Sequence, residues 1–488
     1  MKSELFALTL IVGAELLVTP ASAQTFHEMK SFVPLVLNPV TGLDTNSDGA
    51  YPQADLISSG DTLYGVASAG GVEGGGTVFK INTDGSSFAV LTNFTATKLN
   101  PDTGRGTNRD GAMPLGRLLL SDATLYGTAS AGGASGYGTI FKINTNGSGF
   151  SVIRHFSGGV SDGSMPYAGV IMPGDKLIGT TESGGSVNGG TIFEVATNGS
   201  MFSILHHFNF YATNGNLPRA ELLRQGATVY GTTFAGGTFG WGTVFKMNTN
   251  GGGFTLLKSF TSADSGTNSD GATPEARLIL SDGVLYGTTY QGGSFSNGTV
   301  FKLATDSSGF GVLKTFSAVR SDGFGLKTNS DGANSFARLV FFGGAVYGMT
   351  AYGGEGGAGT IFKVNTNGGG FSVLKAFSEI GGGGGVPAAG LLLVGNTFYG
   401  TTESGGQGNS GTLFSLPIPG PQLAISRSGT KALLTWSTND IGYTLESRPA
   451  LGPPAVWNTV SPPPVVVDGL NVVTNSTSGP AQFYRLNQ

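Results

Sequence analysis

The stretch "FHEMKSF" (26–32) alternates Phe26, Glu28, Lys30 and Phe32 with His27, Met29 and Ser31, the period of a β-strand. A lone strand at the head of a chain has no neighbour to pair with, so its partners must be sought elsewhere. Its pattern, F-x-x-[LIM]-x-x-F, returns as "FAVLTNF" (88–94), "FSVIRHF" (150–156), "FSILHHF" (202–208), "FTLLKSF" (254–260), "FGVLKTF" (310–316) and "FSVLKAF" (371–377). Each of these six closes a set of four short apolar segments, and the set recurs along the chain.

The second segment of the set reads "TLYGVASAGG" (62–71) and recurs through "VLYGTTYQGG" (284–293) to "TFYGTTESGG" (397–406), seven copies in all. The third reads "GTVFK" (76–80), "GTIFK" (138–142) and so on to "GTLFS" (411–415), again seven. A short apolar run such as "ADLIS" (54–58), "GRLLL" (116–120) or "AELLR" (220–224) leads each set. Rich in β-branched and aromatic residues and bounded by Gly, Asn, Asp and Ser, the segments predict four strands per repeat, with "TNGSGF" and "TNGGGF" as hairpin turns. The fourth segment has only six downstream copies, because the seventh repeat stops after "GTLFSLPIPGP" (411–421). "FHEMKSF" supplies the missing one. A repeat of four antiparallel strands over about 50–60 residues is the pattern of a β-propeller blade. The expectation is an all-β chain whose residues 24–416 form a seven-bladed β-propeller closed by the N-terminal strand, leaving no unpaired edge there. Glu28 stands where the other copies have Val, Ile or Leu, and fits if the fourth strand is outermost and partly wet.

The repeats, "SDGATPEARLILSDGVLYGTTYQGGSFSNGTVFKL" (269–303) and its six relatives, resemble the gloeo/verruco (GloVer) tandem repeat of secreted bacterial proteins over roughly residues 26–416. The resemblance implies an exported protein. It carries no established reaction, so it assigns no catalytic residue. After a proline-rich linker at 417–423, residues 424–488 alternate apolar and polar positions and resemble an immunoglobulin- or fibronectin-like β-sandwich, with Trp436, Tyr443, Leu445, Trp457 and Phe483 as its expected core. Similar proteins often end in a sorting anchor, and "FYRLNQ" (483–488) departs from that pattern.

Residues 1–23 read as a secretory signal, with Lys2, the apolar "LFALTLIVGAELLV" (5–18) and an A-x-A site ending at Ala23. The expected location is therefore secreted: periplasmic, cell-surface or extracellular. No other stretch predicts a membrane span after signal cleavage. The chain has 488 residues, 11% of them charged, and a formal charge of −4, so it offers no basic stripe to nucleic acid. The 84 glycines lack the period of collagen, and 32 phenylalanines argue against disorder. With no cysteine, disulfides, thiolate catalysis and Cys-based zinc sites are excluded.

In a propeller the first strand of each blade borders the central channel. Equal positions there hold Asp55, Arg117, Gly169, Glu221, Arg277, Arg338 and Gly390. Two readings are open. The charges line a channel for an anionic or hydroxylated ligand such as a uronic-acid sugar, with Arg277 and Arg338 as a carboxylate fork that only Glu221 neutralises. Alternatively they are salt bridges between blades. Glu182 and Glu403 share a position after "TT" and are the candidate catalytic carboxylates, although glycoside hydrolysis needs such a pair within roughly 5–9 Å and their blades lie nearly opposite. Trp241 interrupts a series of mostly small residues and reads either as a sugar-stacking platform or as a gap filler. Asp44, Asn46, Asp48 and Asp55 have the spacing of a calcium loop, but "TNRDGAMP" (107–114) and "TNSDGATP" (267–274) repeat its centre without the first Asp, which reads as an Asp-Gly turn. No other cofactor is expected. The function expected is a monomeric, exported binding protein for a glycan or cell-envelope component; the alternative is a polysaccharide hydrolase or lyase acting at the channel mouth.

Overall fold

The computed structural model describes residues 25–487 apart from 211–212, 264–265, 322–325, 379–382, 419–422, 430, 438–442, 450–455, 468–469 and 477–481. The expected signal segment, 1–23, lies outside the described residues, as does most of the expected linker. The fold is all-β and β-propeller-like, and no helix occurs among the described residues. The chain divides into two compact units, one holding Phe26–Phe341 and Val346–Leu416, the other Phe342–Ala345 and the described residues from Pro417 onward.

The first unit is built of repeated antiparallel sheets. Ile57–Ser59, Thr62–Ala67, Thr77–Asn82 and Ala89–Asn93 pair in sequence order. The same order recurs downstream in full in the second, fourth, fifth and sixth repeats. In the third repeat the first strand shrinks to a single bridge, Ile171 to Ile178. The seventh sheet differs in one respect. Leu392–Val394, Thr397–Thr402 and Thr412–Pro417 take as their fourth strand His27–Ser31 from the other end of the repeats. The pairing copies its relatives in detail. A register shift falls between Glu28 and Lys30, as it does opposite Ile140 and Phe141 in the second repeat. Phe32 donates its N–H to the Gly411 carbonyl at 3.0 Å, as Phe94 does to Gly76 at 3.0 Å. Glu28 is half-buried, and burial raises its carboxyl above the usual value against the opposing charge of His27.

Glycine and phenylalanine explain one another. Gly65 of "LYG" pairs directly with Phe79 of "TVF", and a Cβ on Gly65 would stand 2.5 Å from the Phe79 ring. The bare glycine lets the ring lie flat across the strand. The Phe ending each fourth strand then packs against the third-strand Phe of the next sheet, edge-on except at Phe377–Phe414, where the rings are tilted by 54°. Centroid distances are 5.1 Å for Phe94–Phe141, 5.4 Å for Phe260–Phe301 and 5.6 Å for Phe377–Phe414. Phe32 makes the same contact with Phe79 at 5.5 Å, and the two share one apolar cluster with Leu413 and Tyr399.

The loop "TNSDG" works as a clasp. The Asn46 side chain accepts from the N–H groups of Gly49 and Gly71 and donates to the carbonyls of Val33 and Gly49. Asp48 binds Lys30 at 2.6 Å and the Val33 N–H. Asp270 with Lys258 and Asp331 with Lys314 repeat the pair, each at 2.6 Å. The clasp joins the end of one sheet to the start of the next repeat.

The C-terminal unit has two sheets. One orders Ala424–Ser428, Lys431–Ser437, Leu470–Ser476 and Val465–Val467; the other orders Asn458–Thr459, Thr444–Arg448 and Phe483–Asn487. Trp436 and Leu445 lie in its core as expected, with Ile425, Leu434, Val473 and Tyr484. Trp457 does not. It lies between the Arg448 and Arg485 guanidiniums, each 4.5 Å from its ring. The buried aromatic of the last strand is Tyr484, one residue beyond Phe483, because a one-residue change of phase exchanges the faces of a strand.

Phe32 is 1% exposed. Replacing it with Ala is expected to cost about 3–5 kcal/mol, the cost of emptying a core aromatic site. Phe94→Ala should cost a similar amount by chemical denaturation. A silent Phe32→Ala would mean that the N-terminal strand is an appendage.

Candidate functional site

The segment leading into each first strand begins on a residue with left-handed backbone. Tyr51, Met113, Met165, Leu217, Thr273, Asn334 and Val386 have φ between 51° and 58°, a region non-glycine residues seldom enter. Each is held by donating its N–H to a carbonyl of the preceding sheet: Met113 to Gly75 at 3.0 Å, Thr273 to Trp241 at 2.9 Å, and Tyr51 to Ser410 at 2.9 Å. The residues that follow line a cavity of about 350 Å³, to which all seven repeats contribute.

The lining has two tiers. The inner tier holds Asp55, Arg117, Glu221, Arg277 and Arg338, with Gly169 between Arg117 and Glu221 in repeat order. The pairing differs from the sequence expectation. Arg338 is not one arm of a fork with Arg277. It reaches past Gly390, which has no side chain, to Asp55: Nε–Oδ2 is 2.7 Å, and an Arg338 Nη donates to the Leu391 carbonyl at 3.2 Å. The Gly390 N–H donates to the other Asp55 oxygen at 2.5 Å. Burial pushes the Asp55 carboxyl up, but Arg338, Arg117 and the Gly390 N–H together hold it below the ordinary aspartate value. On the opposite side Glu221 Oε1 faces two guanidiniums, Arg117 at 3.6 Å and Arg277 at 3.4 Å. Burial lowers the Arg117 pKa, and Glu221 opposes that shift.

The outer tier lies two residues earlier in each repeat and includes Gln53, Leu115, Tyr167, Arg219, Glu275 and Phe336. Arg219 binds Glu182 at 2.7 Å and Glu275 at 3.6 Å, with its guanidinium 4.0 Å from the Phe234 ring. Burial raises the Glu275 pKa against the pull of Arg219. Glu403 has a different setting: burial raises its pKa and a hydrogen bond from Gln53 opposes the rise. Glu182 is thus paired with Arg219, which it shares with Glu275, and Glu403 is bonded to Gln53.

The profile of the Gloeobacter/Verrucomicrobia repeat matches residues 37–159, 98–270 and 267–444. The chain belongs to this repeat family. No curated protein matches it. Among solved structures, an oligogalacturonate lyase in complex with manganese is 11% identical, with TM-score 0.42 over 82% of this chain and 97% of that one. The β-propeller domain of the trilobed protease from Pyrococcus furiosus is 10% identical, with TM-score 0.41 over 76% and 96%. A 6-phosphogluconolactonase-like protein from Bacteroides uniformis is 13% identical, with TM-score 0.40 over 84% and 98%.

The remaining candidates in this member of the Gloeobacter/Verrucomicrobia repeat family are placed as follows. Trp241 packs on the apolar cluster around Tyr230, Phe260 and Phe301. Of the calcium-spaced residues, Asp44 pairs with Leu37 in a hairpin, Asn46 and Asp48 belong to the clasp, and Asp55 serves Arg338. Among the described residues no three His, Asp or Glu side chains gather so as to hold a metal. The outer tier was missed in the sequence although it aligns as clearly as the inner one. Its signal was there, two positions upstream of each inner-tier residue.

Asp55→Asn leaves Arg338 with a neutral partner in a mostly buried site, so it is expected to cost about 3–5 kcal/mol at pH 7. A lowered carboxyl pKa gives stability that is full above the unfolded value, about 3.9, and is lost as pH falls through the folded value. The gap between Asp55→Asn and the parent should therefore narrow in acid. Denaturation curves at pH 7 and pH 3 test this, and a gap that stays constant would show that the pair's charge contributes nothing.

Proposed function

We propose that this protein is an exported, seven-bladed β-propeller, closed by its N-terminal strand, which binds carbohydrate in the cavity its repeats enclose. Closure is supported by three contacts of Phe26–Phe32 and its surroundings that match those between the other sheets: the strand pairing with Thr412–Pro417, the Phe32–Phe79 packing and the Tyr51–Ser410 hydrogen bond. On this reading the C-terminal pair of sheets is an immunoglobulin- or fibronectin-like module, and residues 1–23 direct export.

One observation carries the ligand class. The outer tier sets partly exposed aromatic residues, Tyr167 and Phe336, beside the charged Arg219 and Glu275 on one cavity wall. Sugars present apolar ring faces edged by hydroxyls, and such walls match them with stacking surfaces and hydrogen-bonding groups. A polysaccharide-cleaving enzyme is the second reading. It is favoured by Glu182 and Glu275 flanking Arg219, since a carboxyl with a raised pKa is suited to carry a proton.

A glycan array probed with the full chain tests the first reading. Phe336→Ala is expected to weaken the strongest hit by roughly two- to tenfold, the worth of one stacking contact. An array with no hit would overturn carbohydrate binding. Reducing-end and unsaturated-uronate assays decide the second reading: product that disappears in Glu275→Gln would establish an enzyme.

A further inference from the structure

The inner tier is not balanced. Three arginines face two carboxylates, leaving one positive charge in excess. Asp55 and Arg338 satisfy each other through a 2.7 Å contact and two backbone hydrogen bonds. The excess therefore falls on Arg117 and Arg277, which share a single oxygen of Glu221 at 3.6 and 3.4 Å. Both distances exceed those of strong charge-assisted bonds, about 2.7–2.9 Å. The Nε of Arg117 is buried without a hydrogen-bond acceptor, and the Nε of Arg277, also buried, has only its 3.4 Å contact with Glu221, which is not aligned as a hydrogen bond. Such weakly engaged cations are costly, and the uncompensated charge calls for an anionic oxygen at the open parts of the two guanidiniums, whose side chains are 24% and 20% exposed.

Gly169 lies between the repeats that carry Arg117 and Glu221. A Cβ there would sit 2.3 Å from the Arg117 carbonyl oxygen and 3.2 Å from Glu221 Oε2. The third repeat therefore puts no side chain between Arg117 and Glu221. We infer that Arg117 and Arg277 form a carboxylate-recognition site for a short acidic sugar, with Glu221 aligning the two guanidiniums. This rests on the carbohydrate reading and specifies its ligand. The excess of one charge matches a monoanion, which favours a carboxylate over a phosphate dianion. The cavity, about 350 Å³, lies at the small end of ligand pockets, so it holds a mono- or disaccharide end and not a chain lying lengthwise. The two tiers are two residues apart in each repeat, at most about 7 Å, and the aromatic residues Tyr167 and Phe336 stand in the repeats next after those that carry Arg117 and Arg277. A uronate whose ring stacks on the outer tier can thus place its carboxylate on the inner one.

Titration calorimetry on the full chain tests the inference with digalacturonate, its methyl ester and the neutral disaccharide galactobiose. Digalacturonate is expected to bind at least tenfold more tightly than the ester or galactobiose. Arg277→Gln is expected to reduce digalacturonate affinity by roughly ten- to hundredfold, as for a lost bond to a charged group, and to reduce galactobiose affinity by a smaller factor. Thermal unfolding checks that the variant folds; if it does not, the comparison of acid and ester on the parent protein still decides. Equal affinity for acid and ester, or digalacturonate binding indifferent to Arg277→Gln, would overturn the carboxylate site and leave the carbohydrate reading standing. If none of the three sugars binds and the glycan array is also blank, the carbohydrate reading fails with it.

Discussion

The structure depends on a phenylalanine ring lying over a bare glycine. Because Gly65 has no side chain, the Phe79 ring can cross the middle of its sheet and offer an edge to the neighbouring sheet. Phe32 meets that edge, and a copy of the same contact joins each later sheet to the next. The arrangement explains a composition that looks contradictory for a folded protein, many glycines beside many phenylalanines. The glycines of "LYG" are the receiving surface of the packing, and the turn glycines serve a separate purpose.

Rigid sheets allow the cavity wall to carry charge. Clasps at the loops and left-handed residues at the entry to each first strand fix where the lining begins. The lining side chains are then free to differ from repeat to repeat. Where a repeat supplies glycine, as at Gly390, the neighbours reach across and pair with each other. Equivalent positions are therefore not equivalent pairs.

The sequence made the repeats, the strand order and the displaced first strand legible, because all three follow from local patterns repeated many times. Inner-tier membership could also be read by aligning the repeats. Pairing within the tier could not. Adjacency in the repeat order suggested Arg338 with Arg277, whereas the reach of a guanidinium past a missing side chain put it on Asp55. The clasp was hidden for a related reason. The spacing from Asp44 to Asp55 resembles a cation loop, and only the position of Lys30, far back in the chain, shows that Asp48 already has a cationic partner. In the C-terminal unit nothing repeats, so nothing corrected the phase of its last strand, and Phe483 was taken for Tyr484.

Sharing the last sheet between the two ends of the repeats has a kinetic consequence. His27–Ser31 leaves the ribosome before any other strand of the repeats, yet the strand it pairs with, Thr412–Pro417, leaves after all of them. The earlier sheets pair locally and can form as they appear, while this one waits for the whole array. Until then the edge of Phe26–Phe32 and the face of Phe79 that Phe32 covers stay exposed to other chains, and the slowest step of folding is the meeting of the oldest segment with the newest.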